Sequence, residues 1–352
     1  MPNVTVIIPA YNAEPYIKQC ADSILNQTLK DIEVIFINDG STDQTGAILT
    51  DLVKGYPNAR VIHQDNKGLY ISREIGLSMA TGDYIGWVDA DDYVENNMYE
   101  VLYNVAIENN SELVICDYSW FPEKIATKGK WFREYKGQVD TTFVERNSQP
   151  WNKIVKRELL ERLEVGKYFA TCFDEIYIRL LMEAKNPVTV IQPLYHYRVS
   201  SGTMSSSYTN VAHYRRFVDA SVALKNLMEA APINDYWKDY FDYRIIYYLL
   251  MTMVVAAYSR DKEAYERNRN ELFSLYPNFN ENQHYWRILK ENYGTLGSYA
   301  IGKIVPLGYS FAVITCSAKL QWGAYCEEEN KWIECYKLHT LSPINREVEH
   351  AA

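Results

Sequence analysis

The sequence lacks several features that would assign it to a common class. Its six cysteines are scattered, with no Cys-x-x-Cys pair, which argues against a zinc site and favours reduced thiols. No basic segment followed by an apolar core stands near Met1, so we expect no secretion signal. The longest apolar run, 245–258, is shorter than the roughly 20 residues that span a bilayer. These absences predict a cytoplasmic protein, with the inner face of the membrane as the alternative location.

An excess of basic residues is missing as well. The 352 residues carry a formal net charge of -9, so we expect no nucleic-acid partner. Charged residues amount to 23%, an ordinary share that excludes a wholly disordered chain. Tyrosine, in contrast, is abundant, with 30 residues whose rings can stack on sugars or bases. Composition alone favours a general bias over a specific use of these rings.

Short β-branched runs alternate with amphipathic segments in the first part of the chain. Strand-like runs cover 4–8, 32–37, 60–63, 84–88 and 113–116, and helix-like patterns stand between them. This alternation predicts an α/β fold with a mostly parallel, doubly wound sheet flanked by helices. Ligands bind beyond the carboxyl ends of the strands in such sheets.

The later part of the chain predicts further elements and a second domain. We expect a loop or hairpin over 121–139, helices over 149–162 and 173–184, and edge strands over 188–191 and 194–198. A serine-rich stretch, 202–208, is a candidate hinge. The predicted domains are an α/β domain over 1–208 and a mainly helical domain over 209–340, followed by a flexible tail over 341–352.

A glycine-rich turn is missing after the first strand. A nicotinamide-binding fold would carry Gly-x-Gly-x-x-Gly there, whereas this chain has Pro9-Ala10-Tyr11-Asn12. The same absence disfavours a nucleotidyltransferase, which would need a glycine-rich phosphate loop at this point. The ring of Tyr11 could stack on a base, although a simple turn explains these residues equally well.

Three carboxylates follow the fourth predicted strand within four residues, as Asp89-Ala90-Asp91-Asp92. Like charges this close are unfavourable unless a cation or hydrogen-bond donors compensate them. Hard oxygen ligands suit Mg²⁺ or Mn²⁺, which can also bind substrate phosphates. The alternative is a turn whose aspartates cap the helix expected near Val94.

A third polar cluster, Asn38-Asp39-Gly40-Ser41-Thr42-Asp43, follows the second strand. A strand-end aspartate can accept hydrogen bonds from a base edge or from ribose hydroxyls. We therefore assign Asp39 to a ligand, and Asp43 to capping of the next helix or to the ligand.

Taken together, these motifs resemble glycosyltransferase family 2, the inverting nucleotide-sugar transferases with a GT-A fold. The resemblance rests on four segments in family order: 6–12 with Pro-x-Tyr-Asn, 37–43 with Asn-Asp-Gly-Ser-x-Asp, 66–73 with a glycine before a helix and an arginine, and 88–92 with Asp-x-Asp-Asp. It is strong over about 3–120 and weaker over about 148–205. The family usually carries Gly-Leu-Ser-x-Ala-Arg-Asn where this chain has Gly-Leu-Tyr-Ile-Ser-Arg-Glu over 68–74.

The resemblance implies a role for each matched residue. The nucleotide half would cover about 1–120 and the acceptor half about 121–208. The residues expected to bind the UDP-sugar are Pro9, Tyr11, Asn12, Asp39, Arg73, Asp89, Ala90 and Arg198. Among them, Asp39 would contact the base, Asp89 the ribose, and Arg73 and Arg198 the diphosphate. Asp91, assisted by His196, would hold Mn²⁺ or Mg²⁺.

The acceptor side of the resemblance is less regular. The segment with Trp151, Asn152 and Lys153 resembles the part of the family that faces the acceptor. The family then has a Glu-Asp pair whose aspartate is the catalytic base, and here the pair is inverted as Asp174-Glu175. We favour Asp174 as the base and Glu175 second, with a carboxylate at a helix N-terminus as the alternative reading.

The resemblance therefore implies a metal-dependent inverting hexosyltransferase. It would move galactose or glucose from a UDP-sugar to a saccharide on lipid or protein, in bacterial-type surface polysaccharide or glycoprotein glycan assembly. The helical domain could add a peripheral membrane contact, and the chain could form a homo-oligomer. A nucleotidyltransferase and a non-catalytic glycan-binding protein derived from a transferase are the alternatives.

Overall fold

Two uninterrupted apolar runs form the centre of an eight-stranded sheet. β1 (Val4–Ala10) and β2 (Ile32–Asp39) are buried along their whole length, as expected for β-branched strands covered on both faces. β1 pairs in parallel with β2 and with β4 (Tyr84–Trp87), and β2 pairs in parallel with β3 (Ala59–Gln64). The carboxyl ends of these four strands therefore lie along one edge of the sheet.

This description rests on a computed structural model. It describes residues 2–121, 139–198, 211–230, 233–310, 312, 323–326 and 331–334. Most of the loop predicted over 121–139, the hinge predicted over 202–208 and the tail predicted over 341–352 lie outside these residues.

The other half of the sheet mixes strand directions. It contains β5 (Tyr93–Val94), β6 (Leu113–Phe121), β7 (Lys153–Lys156) and β8 (Val188–Arg198), and the strand order is β3-β2-β1-β4-β7-β6-β8-β5. β7 runs antiparallel to both β4 and β6, while β6 and β8 are parallel and β5 runs antiparallel to β8. The predicted α/β fold is confirmed, with β7 and β5 as its antiparallel strands.

Helices connect the parallel strands and cover the sheet. In chain order they are α1 (Glu14–Leu25), α2 (Thr45–Leu52), α3 (Leu69–Met79), α4 (Met98–Glu108), α5 (Thr141–Asn147), α6 (Arg157–Arg162), α7 (Phe169–Cys172) and α8 (Ile176–Glu183). The core includes the inward side chains of α1 and α4, such as Ile17, Ile24 and Leu102, which pack on the strands. Because this layer is apolar, the polar groups of the domain gather where the strands end.

Two sequence predictions need correction in this region. The helix predicted over 149–162 is wrong in its first half, because β7 occupies 153–156 and only α6 is helical. A short apolar run such as Ile154-Val155 fits a buried strand as well as a helix. The strands predicted over 188–191 and 194–198 are one strand, β8, whose register against β6 shifts around Asp117.

The chain divides into two compact units, residues 1–199 and 200–352. The described part of the second unit contains α9 (Val211–Glu229), α10 (Asp235–Tyr258), α11 (Lys262–Leu275), α12 (Tyr285–Tyr299), and the antiparallel strands β9 (Gly323–Cys326) and β10 (Lys331–Glu334). α10 packs against α9 and α11 and is buried on most sides. Among the described residues, no helix combines the length and the apolar character needed to cross a membrane.

A buried carboxylate ties strands together at the edge opposite the polar clusters. Glu33 on β2 accepts hydrogen bonds from Thr5 Oγ1 at 2.6 Å and from Thr81 N at 2.9 Å, and it pairs with Arg60 at 2.8 Å. Burial acts to raise the pKa of Glu33, but these hydrogen bonds outweigh it, so the pKa lies below its ordinary value. The ionised group therefore stabilises the fold.

We expect Glu33→Gln to lower the free energy of unfolding by about 2 kcal/mol at neutral pH, because bonds to a charged acceptor are lost. A lowered folded-state pKa gives stability that is present above the unfolded value of about 4.3 and is lost as pH falls through the folded value. The difference between variant and wild type in urea unfolding should therefore shrink in acid.

Asp51→Asn provides the control for this substitution. Asp51 pairs with Lys54 on the surface, where its side chain is 80% exposed. Its loss should change stability little and show no comparable pH dependence. Equal effects of the two substitutions would contradict the role given to Glu33.

Candidate active site

Three polar clusters meet at the carboxyl edge of the sheet. Tyr11 and Asn12 follow β1, Asp39 ends β2, and the turn 89–92 follows β4. Because β2, β1 and β4 are consecutive and parallel, these groups become neighbours although the sequence separates them.

The loops after β1 and β2 are tied to each other. Asn12 has a positive φ of 48°, a conformation that Asn tolerates better than most residues. Its Oδ1 accepts from Thr42 N at 2.8 Å, and its backbone N donates to Ser41 Oγ at 3.1 Å. Pro9 is buried within β1, whereas Tyr11 is 52% exposed, so its side chain is accessible to a ligand.

Asp43, which the sequence assigns to capping or to a ligand, caps helices. One carboxylate oxygen accepts from Thr45 N at 3.0 Å, at the start of α2, and the other from Glu14 N at 3.1 Å, at the start of α1. Its hydrogen bonds fix the ends of both helices beside the site.

Asp39 organises the loop that starts α3. Its carboxylate accepts hydrogen bonds from Gln64 Nε2 at 2.7 Å and from the backbone N of Lys67 and Gly68, both at 2.8 Å. Gly68 has φ of +90°, which favours glycine there. Asp39 is only 3% exposed, so its main contacts are internal and its contact with a base stays a prediction.

The turn after β4 is held from behind by Tyr195 of β8. The Tyr195 hydroxyl donates to Asp92 Oδ2 at 2.5 Å and accepts from Asp89 N at 3.3 Å. Asp92 also accepts from Arg198 N at 2.7 Å and is 1% exposed, so it is part of the framework. Burial and the charges of Asp91 and Asp89 raise the pKa of Asp92 well above its ordinary value.

Asp91 is partly exposed, unlike the buried Asp92. Burial and the charge of Asp89 raise the pKa of Asp91 to about 6. Ala90, between them, is 8% exposed. The turn thus presents crowded negative charge, which a cation would relieve.

Arg198 holds the same turn. Its Nε donates to the Asp91 carbonyl at 2.6 Å, and its guanidinium lies over the rings of Tyr16 and Phe121 at 4.9 Å each. A further hydrogen bond at 2.5 Å reaches Gln19 Oε1. These contacts fix the backbone of the candidate metal ligand, and the predicted contact with a diphosphate is not tested by them.

His196 is fully engaged by protein groups. Its Nδ1 lies 2.6 Å from Ser119 Oγ, its Nε2 lies 2.8 Å from Glu95 Oε1, and its ring stacks on Tyr93 at 4.4 Å. A bond from this ring to a metal would have to replace one of these partners, and that role stays a prediction.

A buried guanidinium joins the turn after β4 to the candidate base. Arg73 of α3 is 1% exposed, and its terminal nitrogens contact Asp174 Oδ1 at 2.7 Å and Asp89 Oδ1 at 3.0 Å. Burial raises the pKa of Asp174, the Arg73 charge opposes this effect, and Asp89 adds to it. Glu175, the second candidate, is 3% exposed.

An aromatic pair flanks Asp174. The Tyr70 and Phe173 rings lie 4.5 Å apart, and the Arg73 guanidinium lies 5.6 Å from the Tyr70 ring. Phe173 has φ of 48°, an outlier for a bulky residue of the kind that often accompanies a functional site.

The predicted acceptor residues lie in the interior. Trp151 stacks on Tyr195 at 4.6 Å and is 7% exposed. Asn152 Nδ2 donates to the Cys116 carbonyl at 2.6 Å, and Lys153 Nζ donates to Asn152 Oδ1 at 2.9 Å. Burial lowers the pKa of Lys153 to about 7. These side chains support the site from within, and their direct contact with an acceptor stays a prediction.

Sequence reasoning missed two contributors to the site. Tyr195 looked like an ordinary strand residue, and no local signal linked it to Asp92. Tyr70 stands where the family usually has serine, so that departure was a signal for an unusual side chain beside Arg73.

No group of three or more histidine, cysteine, aspartate or glutamate residues suited to hold a metal occurs among the residues that the structure describes. A cation at Asp91 would therefore need oxygen ligands from its substrate or from water.

Comparison with known proteins identifies relatives of this chain. The family model described as Glycosyl transferase family 2 matches residues 5–164. The uncharacterized glycosyltransferase EpsJ of Bacillus subtilis (strain 168) is 32% identical over 251 residues, which are 64% of this chain and 70% of that protein.

Solved structures share the fold. S. aureus TarS 1-349, crystallised in complex with UDP-GlcNAc, superposes with a TM-score of 0.60 at 18% identity, covering 93% of this chain and 95% of that chain. The mannosyltransferase PcManGT from Pyrobaculum calidifontis, in complex with GDP-Man and Mn²⁺, gives a TM-score of 0.51 at 15% identity, covering 91% and 87%. At these identities the likeness shows the fold alone.

Tyr195→Phe tests how the turn after β4 is held. The variant keeps the ring that stacks on Trp151 but loses the bonds to Asp92 and Asp89, so the free energy of unfolding should fall by about 1–2 kcal/mol. Hydrogen–deuterium exchange should become faster at the Asp89 amide. Tyr103→Phe, which removes a hydroxyl from α4, is the matched control, and equal exchange at Asp89 in both variants would contradict this account.

Proposed function

This chain belongs to glycosyltransferase family 2, and from that premise we propose that it transfers a hexose from a UDP-sugar to a saccharide hydroxyl with inversion. The observation that carries the proposal is the buried guanidinium of Arg73, which contacts two carboxylates. Asp89 comes from the turn after β4 and Asp174 from the turn before α8, and Arg73 contacts both. The turn that we assign to the donor and the candidate general base, Asp174, therefore lie close together, since each contacts Arg73.

We assign the nucleotide to the loops after β1 and β2. Tyr11 is 52% exposed, so its ring offers a stacking surface for the base, and we assign Pro9, Asn12 and Asp39 as further contacts of the nucleotide. Asp89 and Ala90 would face the ribose. The likeness to S. aureus TarS, crystallised with UDP-GlcNAc, supports a uridine donor.

Galactose or glucose is the donor sugar that we propose, carried to a saccharide on lipid or protein. The setting proposed for this reaction is assembly of a surface polysaccharide or of a glycoprotein glycan on the cytoplasmic side of the membrane. These finer assignments rest on the family resemblance alone, and donor and acceptor panels test them.

The turn after β4 suits Mn²⁺ or Mg²⁺. Its oxygen donors are hard ligands. Burial and the charge of Asp89 raise the pKa of Asp91 to about 6, and a cation would relieve the crowded negative charge. Such ions are often held by one or two carboxylates, with substrate phosphates as further ligands. The likeness to PcManGT, solved with GDP-Man and Mn²⁺, supports this assignment. When bound, the cation would neutralise charge that develops on the departing diphosphate.

We assign Asp174 as the general base. Burial raises the pKa of its carboxyl, which makes the ionised form a stronger proton acceptor. The acceptor oxygen bonds to the anomeric carbon, the bond from that carbon to the diphosphate oxygen breaks, and the hydroxyl proton passes to Asp174. The electron pair of the broken bond leaves with UDP. One displacement of this kind inverts the anomeric configuration.

Asp174→Asn should lower kcat for sugar transfer by about 10²–10⁴-fold, because the amide cannot accept the proton. UDP affinity, measured by calorimetry, should change little. Asp83→Asn is the control, because Asp83 is exposed and precedes β4 at the opposite edge of the sheet. Full activity of Asp174→Asn together with loss in Glu175→Gln would transfer the role to Glu175.

A donor panel tests the reaction and its metal. UDP release from UDP-glucose and UDP-galactose should require a saccharide acceptor and Mn²⁺ or Mg²⁺, and EDTA should abolish it. Asp91→Asn should raise the metal concentration needed for the half-maximal rate by about tenfold or more, because one oxygen ligand loses its charge. Release that is unaffected by EDTA, or by the substitution, would contradict the metal assignment.

A further inference from the structure

Arg73 is a deeply buried cation that contacts both Asp89 and Asp174. It stands on α3, where its side chain is 1% exposed, while the side chains of Asp89 and Asp174 that it contacts are 28% and 32% exposed. The guanidinium therefore lies behind the two carboxylates, which retain the accessible surface.

The two terminal nitrogens of the Arg73 guanidinium contact different carboxylates. Nη1 contacts Asp174 Oδ1 at 2.7 Å, and Nη2 contacts Asp89 Oδ1 at 3.0 Å. The rigid fork of arginine fixes the angle between these bonds, so the two carboxylates take a set position relative to each other. The ring of Tyr70, with its centroid 5.6 Å from the guanidinium carbon, covers the cation further. A diphosphate would have to displace a carboxylate to reach it.

We propose that Arg73 is a positioning residue, which orients the Asp174 carboxylate for proton abstraction and couples it to the donor-side Asp89 without contacting the diphosphate. This inference rests on the proposed function, in which Asp174 is the base. It replaces the diphosphate contact that the family resemblance implies for Arg73.

The charges around Arg73 also support a positioning role for this residue. Burial acts to lower the pKa of Arg73, but the charges of Asp174 and Asp89 outweigh it and raise the pKa, so the guanidinium stays charged. Without this cation, two partly buried carboxylates would face each other uncompensated, and Asp174 would hold its proton to higher pH. The charged or titratable groups that act on Asp174 from the surrounding elements are Arg73, Tyr70, Asp89, Lys153 and Tyr177.

The test compares Arg73→Gln with Arg73→Lys. Arg73→Gln should lower kcat by about a hundredfold and move the acidic limb of the rate profile to higher pH. Affinity for UDP with Mn²⁺ should change little. Arg73→Lys keeps the charge but not the fork, so it should leave the limb near its wild-type position and recover part of kcat.

Arg162→Gln is the matched control. Arg162 makes a bidentate pair with Glu112 at the start of β6, with nitrogen–oxygen distances of 3.0 and 2.8 Å. The substitution therefore removes an arginine that binds a carboxylate through both terminal nitrogens, but at a position outside the site. Its pH profile and kcat should match wild type, and circular dichroism of all variants checks folding.

The opposite pattern would overturn the proposal. Loss of UDP affinity by more than about tenfold in both Arg73 variants, with an unmoved acidic limb, would make Arg73 a diphosphate ligand. A second readout separates this outcome from failure of the proposed function. If the wild type transfers no sugar, ¹³C NMR titration of the Asp174 carboxyl still applies, and an equal pKa in wild type and Arg73→Gln would refute the positioning role.

Discussion

The parallel pairing of β1 with β2 and β4 is the constraint on which the site depends. It brings three loops, separated by up to eighty residues of sequence, to one edge of the sheet. The strands are buried on both faces, so polar side chains of these segments gather beyond the strand ends. The positions of Asp39 and of the turn 89–92 follow from this register, because Asp39 is the last residue of β2 and the turn follows β4.

The carboxylates at this edge serve two purposes. Asp39, Asp43 and Asp92 are engaged by backbone amides and a tyrosine hydroxyl, and they hold the loops in place. Asp91, Asp89 and Asp174 keep some accessible surface, and the proposed chemistry is assigned to these three. Like charges so close are tolerated because Arg73 neutralises part of them, and a divalent cation would neutralise more.

Much of this arrangement follows from sequence. Periodicity and β-branched runs predict β1 to β4 and the α/β fold, and the positions of Asp39 and Asp91 at strand ends follow from the same pattern. β7 was missed because four residues carry too little periodicity to separate a strand from a helix. The burial of Lys153 was also unexpected, because lysine is rarely buried without partners. Its hydrogen bond to Asn152 forms only in the folded chain.

The pairings across the site could not be predicted. Tyr195 and Asp92 stand 103 residues apart, and Arg73 and Asp174 stand 101 apart. No local pattern specifies such contacts, since they depend on how β8 and the turn before α8 return to the edge of the sheet. Only the family resemblance indicates that Asp174 belongs near Asp89.

The anomeric configuration of the first product tests the central claim most directly. With an α-linked UDP-hexose as donor and a saccharide acceptor, NMR of the product formed before any side reaction reports the new linkage. Direct displacement with Asp174 as base predicts a β-linked product. An α-linked product would contradict the account, because retention requires an additional step that this assignment of residues does not provide.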